Sequence, residues 1–231
     1  MDISQQILKK LMYNKGMSYN KLRDEVPSNK FAYYLNKLVE EDIVKKNEDI
    51  YELTSEGIHL IASIDGVDIV QKKKPIVCTF VLGKDGDKLL MNRRAKQPFL
   101  NYVGIPGGKV EFGSRLPEEA ARELLEETGM SAEKFELRLI TNFRTYDKET
   151  NELTHHVIGF FFLATGLSGE LKSKDREGEN LFMTRDEALK DKVYPDVEFF
   201  TAQMLGDGPL EFKEIDRFTS DGEFVGINLL D

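Results

Sequence analysis

Three glutamates near the middle of the chain have the spacing of one charged helix face. Glu126 and Glu127 follow Glu123 by three and four positions, in a stretch rich in helix-forming residues. Residues at these spacings lie on one side of a helix, with Cβ atoms about 5–6 Å apart, so their like charges repel. A divalent cation between the carboxylates would convert this repulsion into binding, because Mg²⁺ prefers oxygen ligands and often bridges carboxylates to substrate phosphates. The alternative is a solvated acidic face that Arg122 partly neutralises.

The residues before these glutamates predict a tight loop that leads into the helix. Gly107, Gly108 and Gly113 allow sharp turns and let the backbone pass close to a ligand. Residues 116–128 contain no glycine and begin with Leu-Pro, a pair that suits a first helical turn. Gly129 is a typical helix stop. A helix over 116–128 would therefore hold the three carboxylates beside a glycine-rich loop.

A longer pattern joins the loop and the helix. Residues 108–130 follow G-x5-E-x7-R-E-U-x-E-E-x-G-U, with U aliphatic, at eight of nine fixed positions, and Ser114 replaces the first Glu. This segment resembles the Nudix box, and the chain is thereby similar to the Nudix hydrolases, which use Mg²⁺ to cleave nucleoside diphosphates linked to another group. The resemblance implies an α/β fold for residues 75–231: the Nudix α/β/α sandwich with a mixed sheet over residues 75 to about 205, and a C-terminal extension after it.

The resemblance also implies a metal site. Glu123, Glu126 and Glu127 would hold Mg²⁺, or Mn²⁺ in its place, and the Gly107 carbonyl would assist them. Glu123 would also act as a catalytic residue by polarising the attacking water. Arg122 would orient its neighbours through salt bridges rather than contact the substrate.

Further site residues are expected outside the helix. A Glu on the loop 172–180 would be the catalytic base or another metal ligand, with Glu177 preferred to Glu179. Arg94 ends a strand-like run, and Arg suits phosphate binding. Arg94 is therefore a predicted substrate-binding residue, although it also fits a plain surface position. Glu111 is also predicted to bind substrate.

The Ser at position 114 removes a carboxylate that is expected to pair with Arg122. Ser is shorter than Glu and uncharged, so Arg122 loses a partner, and Glu111 or Glu118 is expected to replace it. Activity is expected to survive this change. The competing interpretation is a catalytically weak Nudix domain kept as a ligand sensor.

Several apolar or aromatic residues have two interpretations each. Cys78 lies in an apolar run and is predicted to be a buried thiol. His155 and His156 begin a predicted strand, and one of them is expected to face the pocket. Three aromatic residues either stack on a base or belong to the core, which is favoured: Phe99, Tyr102 and Phe143.

Composition restricts the class of protein. The single Cys among 231 residues excludes an internal disulfide and fits a reducing compartment. The N-terminus has no charged-then-apolar signal pattern, and no run approaches 18 apolar residues, so a cytoplasmic protein is expected. Residues 1–74 hold 12 Lys or Arg and 12 Asp or Glu, so the whole net charge of −9 belongs to residues 75–231.

Residues 1–74 form a separate predicted domain. Apolar residues at helical spacing alternate with turn residues, and two short strands follow. The predicted elements are helices near 3–11, 18–26 and 28–39, strands near 43–46 and 50–53, and a last helix from Thr54 through Ile61. This order resembles a winged helix-turn-helix domain over about residues 3–65.

Two roles are open for this predicted winged helix. Lys30, Tyr33 and Lys37 on the third helix, with Lys45 on the wing, could meet phosphates and base edges of double-stranded DNA. A net charge of zero is modest for a duplex binder, whose affinity rests on neutralised phosphates. A dimerising or protein-binding role is the alternative, and a homodimer is expected.

Two functions follow from the combined patterns. The first is a Mg²⁺-dependent hydrolase of a nucleoside diphosphate derivative, with ADP-ribose or a nucleotide sugar favoured. The second is a transcriptional regulator whose Nudix domain senses a nucleotide. The C-terminal residues predict a helix from Val197 to about Leu205 and a hairpin around residues 220–222, with no function assigned.

Overall fold

A computed structural model describes residues 2–62, 73–174 and 178–230. The chain divides into two units, Met1–Lys73 and Lys74–Asp231. Within the described ranges, no helix is long and apolar enough to cross a bilayer.

The described residues of the first unit, 2–62 and 73, contain four helices and a small antiparallel sheet with the strand order β1-β3-β2. Its elements are α1 (Ile3–Met12), β1 (Met17–Ser18), α2 (Tyr19–Arg23), α3 (Ser28–Glu40), β2 (Val44–Asn47), β3 (Ile50–Leu53) and α4 (Ser55–Ala62). Apolar residues of α1 and α3, including Ile7, Leu11, Phe31 and Leu35, form its core. The Thr54 hydroxyl accepts a hydrogen bond from the backbone N–H of Gly57 at 2.9 Å and so caps α4.

The second unit is built on a mixed sheet to which nine strands of the described residues contribute. They are β4 (Ile76–Asp85), β5 (Lys88–Arg94), β6 (Val103–Gly104), β7 (Gly107–Lys109), β8 (Met130–Asp147), β9 (Leu153–Gly169), β10 (Gly178–Thr184), β11 (Glu211–Ser220) and β12 (Glu223–Leu230). The order is β10-β5-β4-β9-β8-β11-β12, with β6 paired to β5 and β7 paired to β4. The pairs β4–β9 and β8–β11 are parallel.

Helices cover both faces of this sheet. They are α5 (Leu116–Thr128), α6 (Arg185–Ala188) and α7 (Val197–Leu205). Leu124 of α5 packs with Val81, whereas Phe200 of α7 packs with Leu82. Successive residues of a strand point to opposite faces, so α5 and α7 lie on different sides of the sheet. This is an α/β/α arrangement.

Helix α5 has the bounds that its sequence predicts. Pro117 occupies its first turn, and Gly129 ends it in the left-handed conformation with φ 74°. The Gly129 N–H donates to the Leu125 carbonyl at 2.9 Å, as in a helix C-cap. A Cβ at position 129 would also crowd the Glu170 carbonyl, which explains why glycine stands there.

The C-terminal residues extend the same sheet. The predicted helix and hairpin are α7 and the β11–β12 pair. Strand β11 runs parallel to β8, with Ile215 opposite Phe143 and Arg217 opposite Thr145. The sequence predicts the hairpin locally, but its partner strand lies about 70 residues earlier in the chain, a pairing that local patterns do not encode.

Candidate active site

Strand β7, which contains Gly107 and Gly108, lies against two of the carboxylates that are predicted to bind metal. The backbone N–H of Gly107 donates to Glu127 Oε2 at 3.1 Å. A Cβ on Gly108 would lie 2.5 Å from Glu123 Oε1, so only glycine leaves room for that carboxylate. Strand β7, held against Phe80 and Thr79 of β4, therefore touches both Glu123 and Glu127.

Arg122 ties the acidic face of α5 together. Its Nη2 donates to Glu119 Oε2 at 2.7 Å and to Glu123 Oε1 at 2.5 Å. Its Nη1 donates to Glu126 Oε2 at 2.8 Å. The Glu126 side chain is 61% exposed, whereas that of Glu123 is 10% exposed. The one guanidinium thus balances much of the repulsion among the helix carboxylates.

Glu119 is the carboxylate that pairs with Arg122 in place of the missing Glu at position 114. The expected replacement partner of Arg122 was Glu111 or Glu118, but the structure pairs Arg122 with Glu119. This carboxylate is buried, and it also accepts from the Glu111 N–H at 3.4 Å and from the Ser114 hydroxyl. The hydrogen bond from Arg122 holds the pKa of Glu119 below its ordinary value. A spacing of three residues puts Glu119 on the face of Arg122.

The chemistry of the donor set fits a hard divalent cation. The candidate ligands are three carboxylates and the Gly107 carbonyl, all of them oxygen donors of the kind that Mg²⁺ prefers. Burial raises the pKa of Glu123, an effect that nearby Arg122 opposes, and a cation would favour the ionised form. Among the described residues, no three His, Cys, Asp or Glu side chains already converge on one metal position. Glu126 bonds to Arg122, so it would have to turn away to join a metal.

A cleft of about 310 Å³ adjoins this acidic region. Gly107 and Glu127 line one part of it, and Cys78 lies beside them. The remaining lining is largely apolar and aromatic, and includes Phe80, Phe99, Ile105, Phe143, Val157, Phe161, Tyr194 and Phe200. A ligand in this cleft would have its polar part near the glutamates and a more apolar part beyond them.

Two predicted substrate residues lie in different places. Arg94 lines the cleft, with its Nε donating to the carbonyls of Pro98 at 2.6 Å and Lys96 at 3.1 Å. Its neighbour Arg93 is engaged by Asp191, at 2.8 and 2.5 Å. Glu111 is exposed on the loop before α5 and is not among the residues that line the cleft.

The predicted base falls partly outside the structure. Glu177 lies outside the described residues, so its role stays a prediction. Glu179 is described, at the start of β10, where it pairs with Arg93 at 3.8 Å and Lys174 at 3.7 Å. Its carboxylate is therefore already paired with two positively charged side chains.

The structure distinguishes between the interpretations left open for the two histidines and the three aromatic residues. His155 lines the cleft, and burial lowers the pKa of its imidazole. His156 instead bonds to Asn142 at 2.7 Å. Cys78 is buried as predicted, and burial raises the pKa of its thiol to about 11. Tyr102 and Phe143 are buried, in agreement with the favoured core placement, and Phe143 also lines the cleft. Phe99 is half-buried and lines the cleft.

Two cleft residues, Asp196 and Arg217, were not predicted from the sequence. Asp196 directly precedes α7, where an Asp is typical of a helix N-cap, and Arg217 lies within a strand of mixed polarity. Both line the cleft and are ion-paired to each other. They are separated by 21 positions in the chain, so only the folded sheet brings them together.

The predicted DNA-contacting residues lie on the surface of the first unit. Lys30 is exposed in the first turn of α3, and Tyr33 is 66% exposed. Lys37 pairs with Glu41 at 3.8 Å and Lys45 with Glu52 at 3.3 Å. Two of the four candidates thus have an acidic neighbour.

The chain shares sequence with a known family and with individual known proteins. The family described as NUDIX domain matches residues 72–203. The ADP-ribose pyrophosphatase of Methanocaldococcus jannaschii is 32% identical over 102 residues, which cover 44% of this chain and 57% of that protein. The ADP-ribose pyrophosphatase of Bacillus subtilis is 35% identical over 124 residues, covering 51% and 63% respectively. The chain thus spans less than two thirds of the length of either relative.

Solved structures share the fold. The MutT protein from Bacillus halodurans aligns with a TM-score of 0.56 at 24% identity, covering 67% of this chain and 97% of that one. The Nudix domain of Shewanella oneidensis NrtR, solved in complex with ADP ribose, aligns with a TM-score of 0.50 at 17% identity, covering 65% and 96%. Because the family match over residues 72–203 includes more than half of the 231 residues, the chain belongs to the Nudix domain family.

Proposed function

We propose that the second unit hydrolyses the diphosphate linkage of a nucleoside diphosphate derivative, with ADP-ribose or a nucleotide sugar as the favoured substrate. One observation carries the proposal: Glu123 and Glu127 of α5 both lie against strand β7, at the edge of the cleft. The names of the two pyrophosphatase relatives support the substrate class.

The proposed cofactor is Mg²⁺, with Mn²⁺ as a substitute. Glu123, Glu126, Glu127 and the Gly107 carbonyl would hold it. When bound, such an ion neutralises diphosphate charge and makes a bound water more acidic. This role explains why the buried Glu123 and the half-buried Glu127 stand together beside strand β7, because like charges at this spacing repel each other without a cation.

The protein's own residues would divide the remaining work. Glu123 is shielded from solvent and has a raised pKa, so its carboxylate is a suitable acceptor for the proton of the attacking water. Arg122 positions Glu123 through its Nη2. Arg94 at the cleft wall would contact a phosphate, and Glu177 would supply a further base.

The substitution Glu123→Gln tests the hydrolase proposal. It removes one acid–base group at nearly constant volume, and the rate of Mg²⁺-dependent ADP-ribose hydrolysis should fall by roughly 10²–10⁴. Glu118→Gln is the matched control, since Glu118 is an exposed residue of the same helix. Thermal melting verifies that both variants fold. An unchanged rate in Glu123→Gln would remove the role given to this residue.

The first unit supports a second candidate function, the binding of double-stranded DNA. Helix α3 buries Phe31, Leu35 and Leu38, and exposes Lys30 and Tyr33. An exposed polar helix face over an apolar core, followed by a strand pair, suits a winged helix-turn-helix that reads a groove. We propose that a nucleotide held in the second unit would then regulate this binding. A cytoplasmic homodimer is the proposed assembly in either case.

The double substitution Lys30→Ala with Lys37→Ala tests the DNA proposal. It should weaken duplex binding and reduce its dependence on salt, because two phosphate contacts are lost. Lys84→Ala with Lys88→Ala makes the same change of charge on exposed residues of the second unit and serves as control. If the unaltered protein shows no salt-dependent duplex binding, the first unit is a dimerising module, and sedimentation would then show its dimer.

A further inference from the structure

The C-terminal hairpin β11–β12 contributes Arg217 to the lining of the cleft, although it lies beyond the residues that match the family. The match ends at residue 203, and the hairpin begins at Glu211. Arg217 lies opposite Thr145 in the β8–β11 register, and both residues line the cleft. The neighbouring residue Asp216 pairs with Arg144 at 2.8 Å. Since successive strand residues alternate, this second ion pair lies on the other face of the sheet.

Arg217 is held rigidly at its position. Its Nε donates to Asp196 Oδ2 at 2.5 Å, and its Nη2 bonds to the same oxygen. Its guanidinium carbon lies 3.8 Å from the centre of the Phe143 ring, a distance typical of a cation–π contact. The side chain is therefore fixed by one carboxylate and one aromatic face.

The ion pair leaves hydrogen-bonding capacity inside the cleft. Asp196 is fully buried and lines the cleft, yet its Oδ1 has no hydrogen-bond partner within the described residues. Both Arg217 bonds go to Oδ2, so Nη1 is the guanidinium nitrogen with no bond to that carboxylate. A buried carboxylate oxygen without a partner is costly, which points to a ligand that donates to it.

Several aromatic rings line the cleft, Phe99 among them, and the hairpin packs against Phe99. Phe224 of β12 stacks on Phe99 with ring centres 4.4 Å apart. The Tyr102 hydroxyl donates to Glu223 at 2.7 Å and accepts from the Phe224 N–H at 3.1 Å. These bonds fasten the end of the hairpin to the loop that carries Phe99. The hairpin thus contributes Arg217 to the cleft and supports Phe99.

We propose that Arg217 is a specificity-determining residue that binds the edge of a nucleobase, with Asp196 as its positioning partner and a second contact. Asp196 occupies the Nε and Nη2 edge of the guanidinium, so Nη1 offers a donor to an acceptor atom on a base edge, and Asp196 Oδ1 offers a separate acceptor to the same ligand. The aromatic rings that line the cleft suit a planar ring. A phosphate is disfavoured here because Asp196 already balances the charge of Arg217. The inference rests on the proposed function, since it assigns the base end of that substrate.

Binding of nucleotides without metal tests this proposal. Calorimetry would measure Kd for AMP, GMP, CMP, UMP and the base-free ribose 5-phosphate. The unaltered protein should bind at least one nucleotide roughly tenfold or more tightly than ribose 5-phosphate, the factor that one well-placed hydrogen bond provides. Arg217→Lys keeps the charge but loses the planar fork, so it should reduce this preference about tenfold.

Arg144→Lys is the matched control, because it makes the same substitution in an ion pair on the opposite face of the same strands, and it should leave the preference unchanged. If Arg217→Lys fails to fold, the double variant Asp196→Asn with Arg217→Gln removes both charges together and should likewise lose the preference. Retention of the preference in whichever variant folds overturns the proposal. So does equal binding of ribose 5-phosphate and all four nucleotides by the unaltered protein.

The two proposals fail in distinguishable ways. Base preference is measured without metal and without turnover. A protein that prefers one base but hydrolyses no diphosphate derivative with Mg²⁺ refutes the proposed function alone. A protein that hydrolyses ADP-ribose but shows no Arg217-dependent preference refutes this inference alone.

Discussion

The substitution Gly108→Ala should separate activity from stability. A Cβ at this position would lie 2.5 Å from Glu123 Oε1, whereas ordinary contacts begin at 3.4 Å. The added methyl group must therefore displace the carboxylate by about 1 Å. The atoms it meets are the far end of a flexible side chain, so Glu123 can move while the backbone of β7 stays in place.

The expected effects differ greatly in size. Displacement of a catalytic group by about 1 Å costs on the order of 10²-fold in rate. Moving Glu123 off its preferred rotamer costs about 0.5–1.5 kcal/mol. Replacing a glycine of ordinary φ by alanine stabilises by about 0.4–1 kcal/mol through the unfolded chain. The free energy of unfolding should therefore change by less than about 1 kcal/mol.

Two other glycines provide the controls. A Cβ at Gly226 meets no atom within 4 Å, so Gly226→Ala should preserve both activity and stability. A Cβ at Gly107 would lie 2.8 Å from Phe80 Cα and would collide with the Thr79 carbonyl, both of them backbone atoms of β4. Gly107→Ala should thus destabilise by about 1–3 kcal/mol or more, as overpacking does.

The assay combines urea unfolding with steady-state hydrolysis of ADP-ribose at saturating Mg²⁺. Full activity of a folded Gly108→Ala protein would show that the position of Glu123 beside β7 is unimportant for chemistry. Global unfolding of the same variant would show that Glu123 cannot move, and the argument from side-chain flexibility would then be wrong.

Three further predictions follow from groups around the cleft. Cys78, with a thiol pKa raised from 9.0 to about 11, should react with iodoacetamide at pH 8 about 10²-fold more slowly than an ordinary thiol, and the rate should still rise between pH 9 and 10. Arg217→Met should lower the free energy of unfolding by about 3–5 kcal/mol because it strands the buried Asp196 carboxylate, and adding Asp196→Asn should recover most of this loss. Tyr102→Phe, which loses the bonds to Glu223 and to the hairpin backbone, should destabilise by about 1–3 kcal/mol.

Each of these three predictions would be contradicted by a specific result. A Cys78 rate that levels off near pH 9 would mean that burial does not control the thiol. An Arg217→Met protein as stable as the parent, by urea unfolding, would mean that Asp196 finds water or becomes neutral without penalty. An unchanged unfolding midpoint for Tyr102→Phe would mean that the Tyr102 hydroxyl does not fasten the hairpin.

Local chemistry explains why the sequence predicted the helix of the site so closely. Helix α5 spans Leu116–Thr128, the predicted range, because Pro117 and Gly129 act on the backbone within a turn of where they stand. The spacing of Glu123 and Glu127 places both on one face for the same reason. The resemblance of residues 108–130 to the Nudix box agrees with the family match over residues 72–203.

Partner choice within that helix was less predictable. Arg122 has several carboxylates within reach of its long side chain, and the sequence pointed to Glu111 or Glu118. The structure selects Glu119, which is buried and also bonded by Ser114 and the Glu111 N–H. The choice depends on which carboxylate the packed loop covers, and helical spacing alone does not contain that information.

The sequence by itself determined the acidic helix, the glycines before it and the main helices and strands of the first unit, because propensity, capping and spacing act over a few residues. It predicted a loop at Gly107–Lys109, where the structure has strand β7. Only the tertiary structure decided what faces those glutamates across the cleft. Arg217 reaches Asp196 because β11 joins the sheet beside β8, far from it in the chain. Such long-range pairing depends on burial and shape complementarity of whole surfaces, which no short pattern records.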